Sequence, residues 1–216
     1  MHLTALKINF SFLSFFVCFA SCKQNTPHLP YYNDAEFTPV FISSEVELTD
    51  SIKHTISDFS FFNQEGKTIT QKKIEGKIHV ANFFFTSCGS ICPVMMENIQ
   101  KASTAFDSDT TVVFLSYSAM PWKDSIGRLK EYATEHNIKN KNWSLLTGKK
   151  EDIYQLARRS YFVEGDMGYR KDSSDFLHTE HVILVDKNKH IRGIYNGTLR
   201  LEIEQLIKDI EELKQE

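Results

Sequence analysis

Two hydrophobic rhythms alternate along the chain. Runs at 78–85, 111–117, 143–146, 181–185 and 190–195 are short, nearly continuous in hydrophobicity and rich in branched and aromatic residues, which predicts strands. Between and after them the apolar positions recur at spacings of three and four, which predicts helices with one buried stripe: Met95, Ile99, Ala102 and Phe106; Ile126, Leu129 and Ala133; Ile153, Leu156 and Ala157; and Ile203, Leu206, Ile207, Ile210 and Leu213. Pro93 suits the first turn of the first of these helices, and Asp124 is a candidate N-cap of the second. Residues 59–70 form two short strand-like runs around a turn ending in Gly66, a hairpin signal. A second hairpin is expected around residues 186–189, and 163–176 is a polar, glycine-bearing loop long enough to be functional or disordered. Strand then helix, repeated, predicts an α/β domain with right-handed crossovers.

The first segment of the chain reads differently from the rest. Residues 8–22 make an apolar segment bounded by small residues and preceded by Lys7, the composition of an export signal and too short and serine-broken for a membrane span. Its end, Phe19-Ala20-Ser21-Cys22, resembles the lipobox of bacterial lipoproteins, in which cleavage precedes a cysteine that carries the lipid. The expected organisation is a signal peptide at 1–21, a lipidated Cys22 with a polar tether and extended lead-in to 52, and one domain over 53–216. An uncleaved anchor helix is the alternative, and both place the domain outside the cytoplasm on a membrane. With 216 residues, a formal net charge of -3 and no Lys/Arg block, the chain has no electrostatic footprint for nucleic acid.

Export simplifies the cysteine count. Of four cysteines, Cys18 leaves with the signal and Cys22 is lipidated, so Cys88 and Cys92 remain as the thiols of the domain. They sit where the central strand meets a helix, and unpaired N–H groups at a helix start favour a thiolate. Four positions span about one helical turn, so both sulfurs can face one metal ion or form a disulfide. Three intervening residues, against the two of dedicated thioredoxin-type oxidoreductases, favour holding a ligand between them. The element order and this cysteine position together give a thioredoxin-like fold, with an N-terminal β-hairpin and a loop insertion before the last hairpin.

Two thiolates leave a metal undercoordinated, and thiolate plus imidazole suits copper, with zinc as competitor. Of eight histidines, His2 and His28 fall in the signal and tether, and His54, His79, His136 and His190 read as unremarkable polar residues of predicted elements. His178, closing the long loop just before a core strand, and His181, three residues on, both remain as third-ligand candidates on these grounds. Met95 and Met96 read as core filler. Met120 is a less ordinary sulfur.

The stretch Phe83-Phe84-Phe85-Thr86-Ser87-Cys88-Gly89-Ser90-Ile91-Cys92-Pro93 resembles the Sco/SenC family of copper-handling proteins. So do Gly76-Lys77, Trp143, Leu146-Thr147-Gly148, Ile153-Tyr154-Gln155-Leu156-Ala157, His178-Thr179 and Leu184-Val185-Asp186, and the similarity spans about 58–213. The resemblance implies Cys88, Cys92 and His178 as ligands of Cu(I) or Cu(II). It also implies delivery of copper to, or reduction of the cysteines of, the binuclear copper site of cytochrome c oxidase subunit II or another copper-receiving protein. One departure is visible: many members carry Asp-Pro where this chain has Met120-Pro121, leaving only Asp124. The competing reading is an extracytoplasmic thiol-disulfide reductase using Cys88 and Cys92. A peroxidase reading is disfavoured by Phe85, which stands where peroxiredoxins place a hydroxyl residue.

Overall fold

A computed structural model of the chain describes residues 29–42, 45–163 and 179–216. The expected signal segment, Cys18, Cys22, most of the tether, 164–176 of the long loop, and His178 lie outside the described residues.

The strand at 78–85 is realised as β5 (Ile78–Phe84), buried along its whole length. It is buried because it is paired on both sides and covered on both faces. Its parallel neighbour is β6 (Val112–Ser118), followed in the sheet by parallel β7 (Trp143–Thr147). On its other side β8 (His181–Val185) runs antiparallel and turns back as β9 (Ile191–Asn196). The predicted N-terminal hairpin is β3 (Ser60–Asn63) and β4 (Thr68–Thr70), added antiparallel to β7, with Gly66 at φ 74 in its turn, a backbone angle that glycine takes without strain.

The helices sort by the alternation of strand side chains. On one face, Val80 and Phe84 of β5, Phe114 of β6 and Leu184 of β8 pack against α2 (Ile91–Ala105), α3 (Ile126–Glu135) and α5 (Arg200–Leu213). On the other, Ala81, Phe83, Leu115, Tyr117 and Ile183 meet α4 (Lys150–Arg159) and the chain leading into β3. Leu129, Ala133, Ile153, Leu156, Ala157, the α2 stripe and Ile203, Leu206, Ile210 and Leu213 of α5 are buried as their spacing predicts, whereas Ile207 is partly buried and Ile126 is 37% exposed. It opens α3, where the helix has not yet closed onto the sheet.

The lead-in is more structured than its pattern. Within it lie β1 (Tyr31–Tyr32), β2 (Pro39–Val40) and α1 (Glu45–Ser51), with β1 paired antiparallel to β9. Two-residue strands carry no period that a sequence could display. Their order comes from the β9 edge and from Arg192, which donates to the carbonyls of Leu29 and Pro30.

Gly197, between β9 and α5, fastens α2 to this part of the sheet. Its N–H donates to Glu180 O at 2.8 Å and its carbonyl accepts from Asn98 Nδ2 at 3.0 Å. A Cβ there would stand 2.6 Å from Met95 Cγ and 2.7 Å from Val182 Cγ2. Gly197→Ala is expected to cost about 1–3 kcal/mol through overpacking, read as a lower urea midpoint at unchanged slope.

Candidate functional site

The cysteines meet because a strand ends where a helix begins. After Phe84 the backbone folds into a tight turn in which the Cys88 N–H donates to Phe85 O at 3.2 Å. Cys92 follows as the second residue of α2 and Pro93 as the third. The first turn of α2 contains no acidic residue, and the Ser90 side chain makes no capping hydrogen bond. Instead the Cys92 N–H donates to Cys88 Sγ at 3.4 Å, and Ser90 Oγ lies 3.8 Å from the same sulfur. Cys88 sulfur therefore does for α2 what an N-cap oxygen does elsewhere.

This geometry separates the two thiols electrostatically. Both are free, Cys88 partly exposed and Cys92 buried. For Cys88, burial opposes ionisation, but the Ser90 N–H, the Cys92 thiol, the Cys92 N–H and the Ser90 hydroxyl together hold it below the ordinary thiol range. For Cys92, burial dominates and the sulfur of Cys88 adds to it, so its pKa is pushed up to about 12. Of the two sulfurs, the partly exposed Cys88 is therefore the one that ionises more readily, and buried Cys92 the one that keeps its proton. Tyr132, beneath them, is kept neutral by burial and by the nearby Cys92 and Cys88 sulfurs.

Asp124 is not the α3 N-cap. Ser125 is, its hydroxyl accepting from the Arg128 N–H. The Asp124 side chain turns inward and is fully buried. It accepts from the Thr86 hydroxyl at 2.6 Å, the Thr86 N–H at 3.2 Å and the Ser118 hydroxyl at 2.6 Å. The roles of Thr86 and Ser118 were invisible in the sequence, since Thr86 and Asp124 are 38 positions apart.

Among the described residues no group of three His, Cys, Asp or Glu side chains forms a metal-binding cluster. His178 lies outside them. The chain resumes at Thr179, and the pairing of Asn82 with Val182 puts the start of β8 at the end of the sheet where β5 leads to Cys88. The His181 ring packs edge-on to Phe37 at 5.8 Å between centroids. By strand alternation it shares the face of Ile183, opposite the one that α2 covers.

His79 differs from the expected polar surface residue. It is fully buried, with Nε2 3.1 Å from the Tyr161 hydroxyl, and burial pushes its pKa down to about 3. A histidine inside a run of apolar residues takes the burial of the strand that carries it. His54 bonds the Ser160 carbonyl, His136 packs on Tyr132, and His190 pairs with Asp186. Met95 and Met96 are core residues, while the Met120 sulfur lies 3.9 Å from the Ser87 hydroxyl beside Cys88. No helix among the described residues is long and apolar enough to cross a membrane.

A parallel β5–β6–β7 core flanked by antiparallel strands, with a cysteine pair where the central strand passes into a helix, defines a thioredoxin-like thiol protein. More narrowly, the chain belongs to the SCO1/SenC family, whose model matches residues 48–215. It is 27% identical over 168 residues to the SCO1 protein homolog of Bacillus subtilis, covering 76% of this chain and 85% of that one. A solved SCO1/SenC family lipoprotein from Bacillus anthracis superposes with a TM-score of 0.64 at 29% identity, over 74% of this chain and 95% of that one. The crystal structure of Arabidopsis thaliana ScoI with copper bound superposes with a TM-score of 0.57 at 26% identity, over 74% and 98%.

Proposed function

We propose that this chain takes up copper, as Cu(I) or Cu(II), on Cys88, Cys92 and His178. It then delivers the metal to the binuclear copper site of cytochrome c oxidase during assembly, or reduces the cysteines of that site. The observation that carries the proposal is the partly exposed Cys88 sulfur, held below the ordinary thiol range, set one helical turn from the buried thiol of Cys92, both free. Soft sulfur donors fit copper, and the helix start supports the negative charge of Cys88 before metal arrives. Cys92 must give up its proton on coordination, so uptake releases acid and strengthens as pH rises. The family is tied to copper binding and to cytochrome c oxidase assembly, which favours copper over zinc. Export, cleavage before Cys22 and lipid attachment there belong to the same reading, supported by the lipobox-like sequence and by the lipoprotein relative from Bacillus anthracis.

The test is metal counting on the reduced full-length protein after copper addition and desalting. About one copper per chain is expected, lost in Cys88→Ser and in Cys92→Ser and bound about 10- to 100-fold more weakly in His178→Ala, the range for removing a group that tunes a metal site. The second reading, a thiol-disulfide reductase, draws on the same pair: a partly exposed thiol of lowered pKa to attack and a buried thiol to resolve. Rapid reduction of a disulfide substrate by a protein that retains no copper would replace the first reading with the second.

A further inference from the structure

The Asp124 carboxylate joins three parts of the chain at the cysteine end of the sheet. One oxygen accepts from the Thr86 hydroxyl, and the other accepts from the Thr86 N–H and the Ser118 hydroxyl. Ser118 in turn accepts from the Met120 N–H at 3.1 Å, and Arg128 Nε donates to the Thr86 oxygen at 3.3 Å. Helix α3 does not require this carboxylate, because Ser125 already caps it. Burying an ionisable group costs free energy unless its bonds are satisfied. Here all three recorded donors are neutral, and two of them belong to Thr86, two residues before Cys88.

We propose that Asp124 is a positioning residue for the cysteine loop. Its grip on both the N–H and the hydroxyl of Thr86 fixes the end of β5, and with it the seat of the Cys88 sulfur on the first N–H groups of α2. Thr86 is the transmitting residue. The cysteine turn is otherwise held lightly: Ser87, Gly89 and Ser90 are exposed, and a Cβ on Gly89 would meet nothing within 4 Å. Without the grip on Thr86, the 3.4 Å hydrogen bond from the Cys92 N–H to Cys88 loses its fixed partner. The ligand role of Cys88 rests on the function proposed above, whereas its seat on the helix does not.

The experiment compares Thr86→Val, which keeps the shape and removes the hydroxyl, with Thr86→Ser, which restores a hydroxyl, in the reduced full-length protein. The first measurement is the rate of Cys88 alkylation by iodoacetamide at pH 7, with thermal melts confirming folding. Thr86→Val is expected to slow alkylation about 5- to 10-fold, the worth of one ordinary hydrogen bond, and Thr86→Ser to stay within about twofold of the parent. Asp124→Asn should move the rate in the direction of Thr86→Val. Equal rates in Thr86→Val, Thr86→Ser and parent would overturn the proposal, and so would a Thr86→Ser as slow as Thr86→Val. Should Asp124→Asn unfold, the Thr86 pair alone decides. The second measurement is copper retained against a chelator, expected to weaken about tenfold in Thr86→Val alone among the two Thr86 variants. If the parent itself retains no copper, the copper reading fails while the alkylation rates still decide the positioning role.

Discussion

Treated with iodoacetamide at pH 7, the reduced protein is expected to take label on Cys88 about a hundredfold faster than on Cys92. With Cys92 pushed up to about 12 and Cys88 held below the ordinary thiol range, their thiolate fractions differ by about three orders of magnitude or more. The rarer thiolate is intrinsically the stronger nucleophile, which recovers about half of that gap on a logarithmic scale. Access then widens it again, since Cys92 is 3% exposed and Cys88 is partly open to solvent. The Cys88 rate should climb with pH with its midpoint below the ordinary thiol pKa, because the same hydrogen bonds favour the thiolate. Quenching at timed intervals and mapping the label by mass spectrometry measures both rates. Equal labelling of the two sulfurs would remove the asymmetry on which the proposed function stands.

Replacing Arg192 by Met is expected to destabilise the protein by about 3–5 kcal/mol, the cost of breaking a buried ion pair from one side. Its side chain is 1% exposed. Every donor is used: Nε to the Pro30 carbonyl, Nη1 to Asp186 and Glu216, and Nη2 to the Leu29 carbonyl and Glu216. The guanidinium also lies 3.9 Å from the centre of the Tyr31 ring. Met fills similar volume but removes the guanidinium from Asp186, Glu216 and the carbonyls of Leu29 and Pro30, and so releases the lead-in from the sheet. The Arg192→Lys variant keeps a charge but cannot serve five acceptors, so it should recover only part of the loss.

A pH dependence accompanies this cluster. Burial opposes the Asp186 charge, but bonds from His190 and the positive charges of His190 and Arg192 hold its carboxyl below the ordinary range. A depressed carboxyl stabilises the fold above its unfolded pKa, near 3.9. That contribution disappears as pH falls through the lower folded value. Urea titrations of parent and Arg192→Met at pH 7 and pH 3 should show the difference between them narrowing at the acid end.

Local pattern made much of this legible beforehand. The nearly continuous hydrophobicity of 78–85, broken only by His79 and Asn82, predicts a strand covered on both faces, and β5 is one. The α2 and α5 stripes name their own buried sides, since a helix repeats every 3.6 residues whatever it packs against. The meeting of Cys88 and Cys92 follows the same logic: a strand end, a short turn and a helix start are local, and one helical turn brings the sulfurs together.

What pattern could not contain is set by residues distant in sequence. Asp124 has the type and place of an N-cap, and Ser125 competes for the same role one residue later. Only the arrival of Thr86 and Ser118 from two other strand ends decides that the aspartate turns inward. His79 looks like any polar residue until α4 and the segment ending at Tyr161 close over it. Residues 31–32 and 39–40 are too short to show a period, and they are ordered by each other and by the pairing of Tyr32 with distant Ile191. Sequence by itself determined the fold class, the cysteine pair and the family. Tertiary structure decided which cysteine ionises more readily, because that depends on which sulfur is buried and which receives the helix N–H groups.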